Sequence, residues 1–514
     1  MDSNPSRPTS ADADAAAIAE FGYKQEMPRR LGWYTSFAVA FGFVSIATGI
    51  FTTYGTVLNT AGPRGIWTWA IVTLGQTAVA LVFGALAARI PVSGYSYQWI
   101  SRLANPILGW IMGWVSFMFL GVVVVAVDYT IASTILPVLF SYQGTTMNAW
   151  LITAVVILLQ AIMVAWSTRA TQRTNNVAVT IQLVGMILLT VLLFIVGIAT
   201  GKFQWSNLFS TGAIPEAGYF SIGTWTHAGP WAMGFLLGAF TIVGFESAAN
   251  LAEETKDPAR TVPRAMWQAV LSLGVLGMLF IIAVTANGGN LIELAQSDTP
   301  IASVISNVLG GVVGKALLVM VVISIFSCGL TISMSGARLV WAMSRDRRFP
   351  GWQALHRVNK GTGTPLNAMV FMLIIGELVL AIFSLYSTDA LFSLFSAATL
   401  LPALIYAGTT LLYIVKRKSL PPSKGFKLGK WEIPVLIAAA VWLVWELAIF
   451  RDVSFRECWL YILILLAIGG VYFAYLMIRH GRAGLTMPEM KDIDKELDEA
   501  DLDEVAVAAG RESA

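Results

Sequence analysis

About twelve apolar runs, each long enough to cross a bilayer, divide this chain, and nothing else in it narrows the fold so far. In hydrocarbon every backbone N–H and C=O must find its partner inside the protein, so such runs fold as helices or as closed barrels. A crossing helix needs about 20 apolar residues and a crossing strand about 10. The first six runs cover 33–59, 66–88, 110–140, 149–166, 177–200 and 231–253. The second six cover 265–285, 315–341, 367–384, 390–414, 433–449 and 459–478. Their length selects helices. The residues are 56% hydrophobic and only 12% charged, against about 25% charged in soluble domains. The expectation is an all-α polytopic membrane protein.

The basic residues test the count. With both ends cytoplasmic, 28 of the 33 Lys and Arg fall in cytoplasmic segments. The outside segments hold Arg64, Lys202, Lys315, Arg451 and Arg456. That bias fits the positive-inside rule in one orientation, and a missed helix would scramble it. Residues 1–30 are polar, Ala/Ser/Pro-rich and without a cleavable apolar segment. They read as a largely disordered cytoplasmic tail. Residues 481–514 read as a second, acidic one.

Several functions are disfavoured. A net charge of +3 gives no case for nucleic acid. Cys328 falls within a predicted helix and Cys458 at the start of another, so no disulfide framework is suggested. His227, His356 and His480 lie in loops or tails, so neither a metal site nor an intramembrane enzyme constellation is expected, and no cofactor.

Two helices are interrupted. The sixth carries Ile242-Val243-Gly244-Phe245-Glu246-Ser247. Glycine loosens a helix interior by about 1 kcal/mol relative to alanine. A carboxylate at membrane depth costs about 2.5–3.5 kcal/mol or more and must face protein or water. The reading is a helix that stops near Val243, opens, and resumes at Ser247, a capping residue. The first helix carries Ser45-Ile46-Ala47-Thr48-Gly49-Ile50, a small polar patch in a Phe/Val-rich run. Both interruptions hold the same relative place if helices 1–5 (33–200) and 6–10 (231–414) are repeats. Five is odd, so the second repeat enters with opposite topology. Paired broken helices mark substrate sites in transporters. The alternative for the first patch is close helix packing by small residues. The long polar segments 91–105 and 287–310 echo each other weakly, and the last two helices (433–478) fall outside the repeat.

These residues resemble the amino acid–polyamine–organocation superfamily. SIATGIF is similar to its first-helix break, and GFESAANLAEETKDPARTVPRA to its sixth helix and following loop. Arg89-Ile-Pro-Val-Ser-Gly-Tyr-Ser-Tyr97 resembles its segment after helix 2. The run from Ala337 through Arg345-Asp346-Arg347-Arg348-Phe349-Pro350, with Asn359 and Gly363-Thr-Pro365, resembles its loop after helix 8. Four motifs in order span about residues 30–480. The amino acid/choline branch is the most similar. The resemblance implies twelve transmembrane helices, a 5+5 inverted-repeat core of LeuT type plus two extra helices, and a permease rather than an enzyme.

A site follows. Amides of Ala47, Thr48, Gly49 and Ile50 at a restarted helix carry partial positive charge and suit a carboxylate. Carbonyls of Phe240, Thr241 and Ile242, before the Gly244 break, suit an ammonium group. The resemblance makes Phe240 an aromatic gate; the plainer alternative is core packing. Glu246 can cap the resumed helix dipole or carry a proton, and the two are compatible. Asp128 in helix 3 either selects a cation or proton, or makes a structural hydrogen bond. Ser327, with Thr331 one turn on, matches a cation-holding position of sodium-coupled relatives; serine also bonds back to its own helix. Helix 5, read as 177–200, lacks the lysine of some proton-coupled relatives. Glu377 and Glu446 are assigned structural or lipid-interface roles. Glu253, Glu254, Lys256, Arg260 and Arg264 are expected to form exposed cytoplasmic ion pairs, and Arg345, Arg347 and Arg348 to be topological anchors.

The expectation is a plasma-membrane secondary transporter for an amino acid or small amine such as 4-aminobutyrate. Proton symport is expected, with sodium as the other coupling ion. The alternatives are an ion-independent exchanger and a choline or polyamine permease. Partners are the substrate and the bilayer, and the protein a monomer or homodimer.

Overall fold

Polar caps and prolines set where the apolar runs begin and end as helices. The helix expected from 110 starts instead at Pro106. There the Asn105 Oδ1 accepts from the Leu108 amide at 2.9 Å, a cap ahead of a proline in its favoured first turn. The computed structural model describes residues 18–481 except 20, 24, 25, 28, 143, 167, 298, 360–363, 387–389, 421 and 424. The acidic tail, residues 1–17 of the first tail and Gly363 lie outside the described residues.

Sixteen helices carry the argument. α1 is Trp33–Val44, α2 Ile46–Thr60, α3 Thr68–Arg89 and α4 Tyr95–Leu103. α5 is Pro106–Thr130, α6 Thr146–Trp166 and α7 Thr168–Ala199. α8 is Leu236–Thr241, α9 Ser247–Asn250, α10 Pro258–Ala286 and α11 Pro300–Leu309. α12 is Gly311–Arg345, α13 Leu366–Tyr386, α14 Ala390–Lys416, α15 Glu432–Ile449 and α16 Arg456–His480. No strand occurs among the described residues.

Eleven helices among the described residues are long and apolar enough to cross a membrane. The remaining expected crossing, the sixth, is the shorter apolar helix Pro230–Thr241, which stops at its break. This is an all-α polytopic membrane protein. The long segments after the second and seventh crossings hold α4 and α11, as their patterning suggested.

Burial separates core from rim. The most apolar window of Trp33–Thr60 is 94% buried, against 28% for Thr146–Trp166 and 17% for Val453–Arg479. A helix apolar all round belongs inside; one apolar only toward lipid belongs outside. The first crossing is thus central. α1 packs on α10 and α7, α2 on α8, α5 on α12 and α14, and α15 and α16 flank α14.

One expectation is corrected. The described part of residues 18–31 is not a solvated tail. Ile18, Tyr23, Met27 and Leu31 are buried, and the segment lies along the strand-like stretch after the sixth crossing. The Arg30 and Leu31 amides donate to the Glu254 carbonyl at 2.8 and 2.9 Å, and the Lys256 amide returns to the Leu31 carbonyl at 2.9 Å. Leu31 follows Met27 and Tyr23 at intervals of four residues, an apolar period that the polar average of the region hides.

Candidate functional site

The first crossing breaks at Ser45, whose φ of 33° is a left-handed value that non-glycine residues rarely adopt. Holding it there costs on the order of 1–3 kcal/mol, and three hydrogen bonds converge on its side chain. Ser45 Oγ accepts from the Thr48 amide at 3.3 Å, the Thr48 hydroxyl at 2.8 Å and Gln182 Nε2 at 3.1 Å. The freed Phe43 carbonyl accepts from the Cys328 thiol at 2.9 Å.

α2 therefore restarts at Ile46, earlier than the sequence suggested. The Gly49 amide already donates to the Ser45 carbonyl at 3.1 Å, and Ile50 follows in the helical ladder. This corrects the expected free amides. Thr48 is capped by Ser45, Gly49 and Ile50 are spent, and Ile46 and Ala47 are the first-turn amides without an acceptor among the described residues.

The sixth crossing ends its upper piece at Thr241. Gly244 sits at φ 85°, with the Phe43 ring where a Cβ would stand, so only glycine fits the turn. The Gly244 amide donates to Tyr406 Oη at 2.8 Å, and Tyr406 Oη donates to Glu246 Oε2 at 2.6 Å. One phenol of α14 thus satisfies a loose backbone donor and a buried carboxylate together. The carbonyls of Phe240, Thr241 and Ile242 accept no hydrogen bond among the described residues.

The two breaks are packed together. Any Cβ at Gly49 would collide with the Thr241 side chain, so the small residue of the first patch serves close helix crossing. Ala47, Ile50 and Ile242 are 0% exposed and Thr241 is 1%. Phe240 stacks edge-on against Phe395 with centroids 5.6 Å apart. The centre of the molecule is closed.

Asp128 and Ser327 belong to separate hydrogen-bond sets. Gln160 Nε2 bridges Asp128 Oδ1 at 2.8 Å and the Phe326 carbonyl at 3.1 Å, tying α5, α6 and α12. Asp128 Oδ2 is buried without a partner. Ser327 and Thr331 hydroxyls donate to Asn175 Oδ1 at 2.9 and 2.8 Å. Asn175 escaped the sequence reading because α7 begins at Thr168, ahead of the apolar run. Glu446 is fully buried, with Gln76 Nε2 at 3.5 Å.

The sequence pattern described as "Amino acid permease" matches residues 31–471. The chain belongs to the amino acid permease family. The permease is similar to the amino-acid permease BAT1 of Arabidopsis thaliana, 26% identical over 462 residues, which are 84% of this chain and 87% of that one. It is similar to the GABA-specific permease of Saccharomyces cerevisiae, 25% identical over 439 residues, 82% and 75% of the two chains. A putative polyamine transporter of Candida albicans is 24% identical over 450 residues, 82% and 78%.

The permease is sealed at the end where α1 begins and α12 finishes. Glu253 and Glu254 are buried rather than exposed, which corrects the expectation of solvated ion pairs. Arg345 grips Glu253 with two nitrogens at 3.1 and 3.2 Å. Arg338 Nε holds Glu254 Oε1 at 2.8 Å. Arg345 is thus a buried partner and not a surface anchor. Arg348 is buried too, whereas Arg347 lies over the Trp352 ring. Of the remaining expected pairs, Arg260 meets Asp257 at 3.8 Å in solvent, and Arg264 stacks on Trp33.

Tyr23 closes this cluster. Its hydroxyl lies 3.0 Å from Asp346 Oδ1, and its ring sits 3.8 Å from the Arg345 guanidinium carbon. Burial, then the negative charge of Asp346, hold that hydroxyl above its ordinary pKa. Tyr97 and Gln98 of α4 also donate to Asp346, at 2.6 and 3.1 Å. Neither Tyr23 nor Tyr406 could be found from local sequence pattern, since the nearest side-chain partner of Tyr23 in this cluster, Gln98, is 75 positions away and Glu246 is 160 from Tyr406.

Proposed function

We propose that the permease is a secondary active transporter that moves an amino acid or small amine by alternating access. The observation that carries this is the meeting of the two breaks. The unpaired Ile46 and Ala47 amides open α2, and the unpaired Phe240–Ile242 carbonyls close α8. Gly49 against Thr241 brings the two helices into contact. Opposite helix ends offer opposite partial charges, so the pair suits a zwitterion's carboxylate and ammonium with backbone alone. Phe240 is the ring that shuts over the substrate. The repeats are 33–200 and 231–414, and the 481–514 tail shares a side with the N-terminus. The relatives named for GABA and polyamines support an amine-bearing substrate.

Coupling is to protons. The hydroxyls of Ser327 and Thr331 are spent on the Asn175 amide, an arrangement that favours a neutral filler over sodium. Glu246 and Asp128 are the buried carboxylates available to carry a proton. The Arg-rich sealed end faces the cytoplasm of a plasma-membrane protein, in keeping with the basic-residue bias.

Reconstituted protein under an imposed proton gradient tests this, with labelled amino acids, 4-aminobutyrate, choline and polyamines, with and without sodium. Uptake of a zwitterion that collapses with a protonophore and ignores sodium is the expected result. Uptake only of a cation lacking a carboxylate would overturn the backbone scheme. Counterflow that needs no gradient would mark an exchanger.

A further inference from the structure

At the sealed end several basic residues have partners within the protein. Arg338 and Arg345 are taken by Glu254 and Glu253, Arg260 by Asp257, and Arg264 by the Trp33 ring. The loop from α14 to α15 is different. Lys416, Lys418, Lys427 and Lys430 are all exposed, and none has an ion pair among the described residues. No acidic residue falls between 411 and 431. Glu432 is already engaged, by Arg417 at 3.9 Å and Tyr413 at 2.9 Å.

The backbone holds these cations in place. The Phe426 amide donates to the Ala259 carbonyl of α10 at 3.2 Å, and Arg89 at the end of α3 donates to the Arg417 carbonyl at 3.1 Å. Gly425 packs on the same Ala259 carbonyl with no room for a Cβ. The height of the loop follows from its flanks. Leu411 and Val415 on the last turns of α14 are 61% and 65% exposed, and Trp431 and Ile433 at the start of α15 are 63% and 50% exposed. Exposed apolar residues on a crossing helix face lipid, and a tryptophan at its end sits at the headgroup level. Lys416 directly follows Val415 and Lys430 directly precedes Trp431, so the unmatched charges begin and end at the membrane surface.

We propose that the loop 416–431 is a docking surface for anionic lipid headgroups. Topology requires positive charge on this side, but not charge left exposed and unmatched on a pinned backbone. Clustered lysines beside a crossing helix attract anionic lipid. A soluble acidic partner would reach only the face turned away from the bilayer, whereas headgroups lie against both flanks. The proposed cytoplasmic side is also the one whose leaflet collects such lipids.

Acetylation of lysines in the full wild-type chain, read residue by residue by mass spectrometry, tests this. A water-soluble reagent is applied to the protein in phosphatidylcholine nanodiscs with and without phosphatidylglycerol. Lys416, Lys418, Lys427 and Lys430 should react about fivefold more slowly when the anionic lipid is present, the factor that corresponds to one lysine's attraction to an anionic surface. Lys202 and Lys315, exposed at the opposite end of the bundle, meet the same lipid in the other leaflet and should change little. Equal rates in both discs, or equal protection of Lys202 and Lys315, would overturn the proposal. Inorganic phosphate added to phosphatidylcholine discs should protect none of the four; protection by it would assign the loop to a soluble anion instead. The lipid's protection should vanish in about 1 M salt, where screening acts within about 3 Å. Protection that survives there would mean a rearranged loop rather than headgroup attraction.

Discussion

Tyr406 donates to Glu246 at 2.6 Å while accepting from the Gly244 amide, so a single hydroxyl holds the unwound stretch of the sixth crossing in shape. Tyr406→Phe removes both bonds and leaves a carboxylate and an amide buried without partners. The cost is about 1–3 kcal/mol, enough to lower the melting temperature and to cut uptake in proteoliposomes. Glu246→Gln keeps an acceptor for the phenol, so it should melt near wild type. Equal melting of Tyr406→Phe and wild type would show that the bond carries no weight.

Gly49 touches Thr241 so closely that a methyl has no room. Overpacking of this kind costs about 1–3 kcal/mol. Gly49→Ala should lose most uptake, and adding Thr241→Gly should restore part of it. Rescue would identify Gly49 with the crossing of α2 and α8. A lasting defect in the double variant would assign it a direct part in binding instead.

These two positions show where the sequence was legible. Apolar runs fix helices because lipid leaves no other way to satisfy a backbone. Gly244 and Glu246 betrayed the sixth break because neither suits a continuous lipid-facing helix. The first break was misplaced because its visible signal, the small residues, marks close packing and not the turn. The turn itself sits on Ser45, a residue with no preference for its backbone angle. Its support comes from Gln182 and Cys328, far along the chain. Tyr406 was missed for the same reason, acting on partners that no local window contains, and Asn175 because its helix starts ahead of the apolar run.

The Arg338–Glu254 pair is buried, with side chains 0% and 6% exposed. Arg338→Met strands the Glu254 charge and should destabilise by about 3–5 kcal/mol. Replacing both with Met removes the stranded charge and should recover much of that loss. Arg64–Glu216 is the control, at 3.5 Å with Glu216 77% exposed. Breaking it should change stability by about 0–1 kcal/mol. Thermal unfolding in detergent measures all three.

Tyr23 bridges the first described segment to the end of α12. Tyr23→Ala should loosen the seal there. A cysteine at buried Ser93, whose amide donates to Glu253 at 3.1 Å, should then react faster with a water-soluble thiol reagent. Because the Tyr23 hydroxyl holds its proton more tightly than a free tyrosine, the wild-type rate should be flat across neutral pH once reagent reactivity is corrected. Unchanged labelling in Tyr23→Ala would exclude Tyr23 from the seal.

The bond between Tyr23 and Asp346 spans 323 positions, which sets an order of events during synthesis. A ribosome adds about 5–20 residues per second, so roughly 15–65 seconds separate the two residues' emergence. Through that interval Tyr23 has Gln98 to meet but not Asp346. A segment made early is thus among the last to settle. A nascent chain stalled before α12 would carry every early helix and still be unlocked at that end.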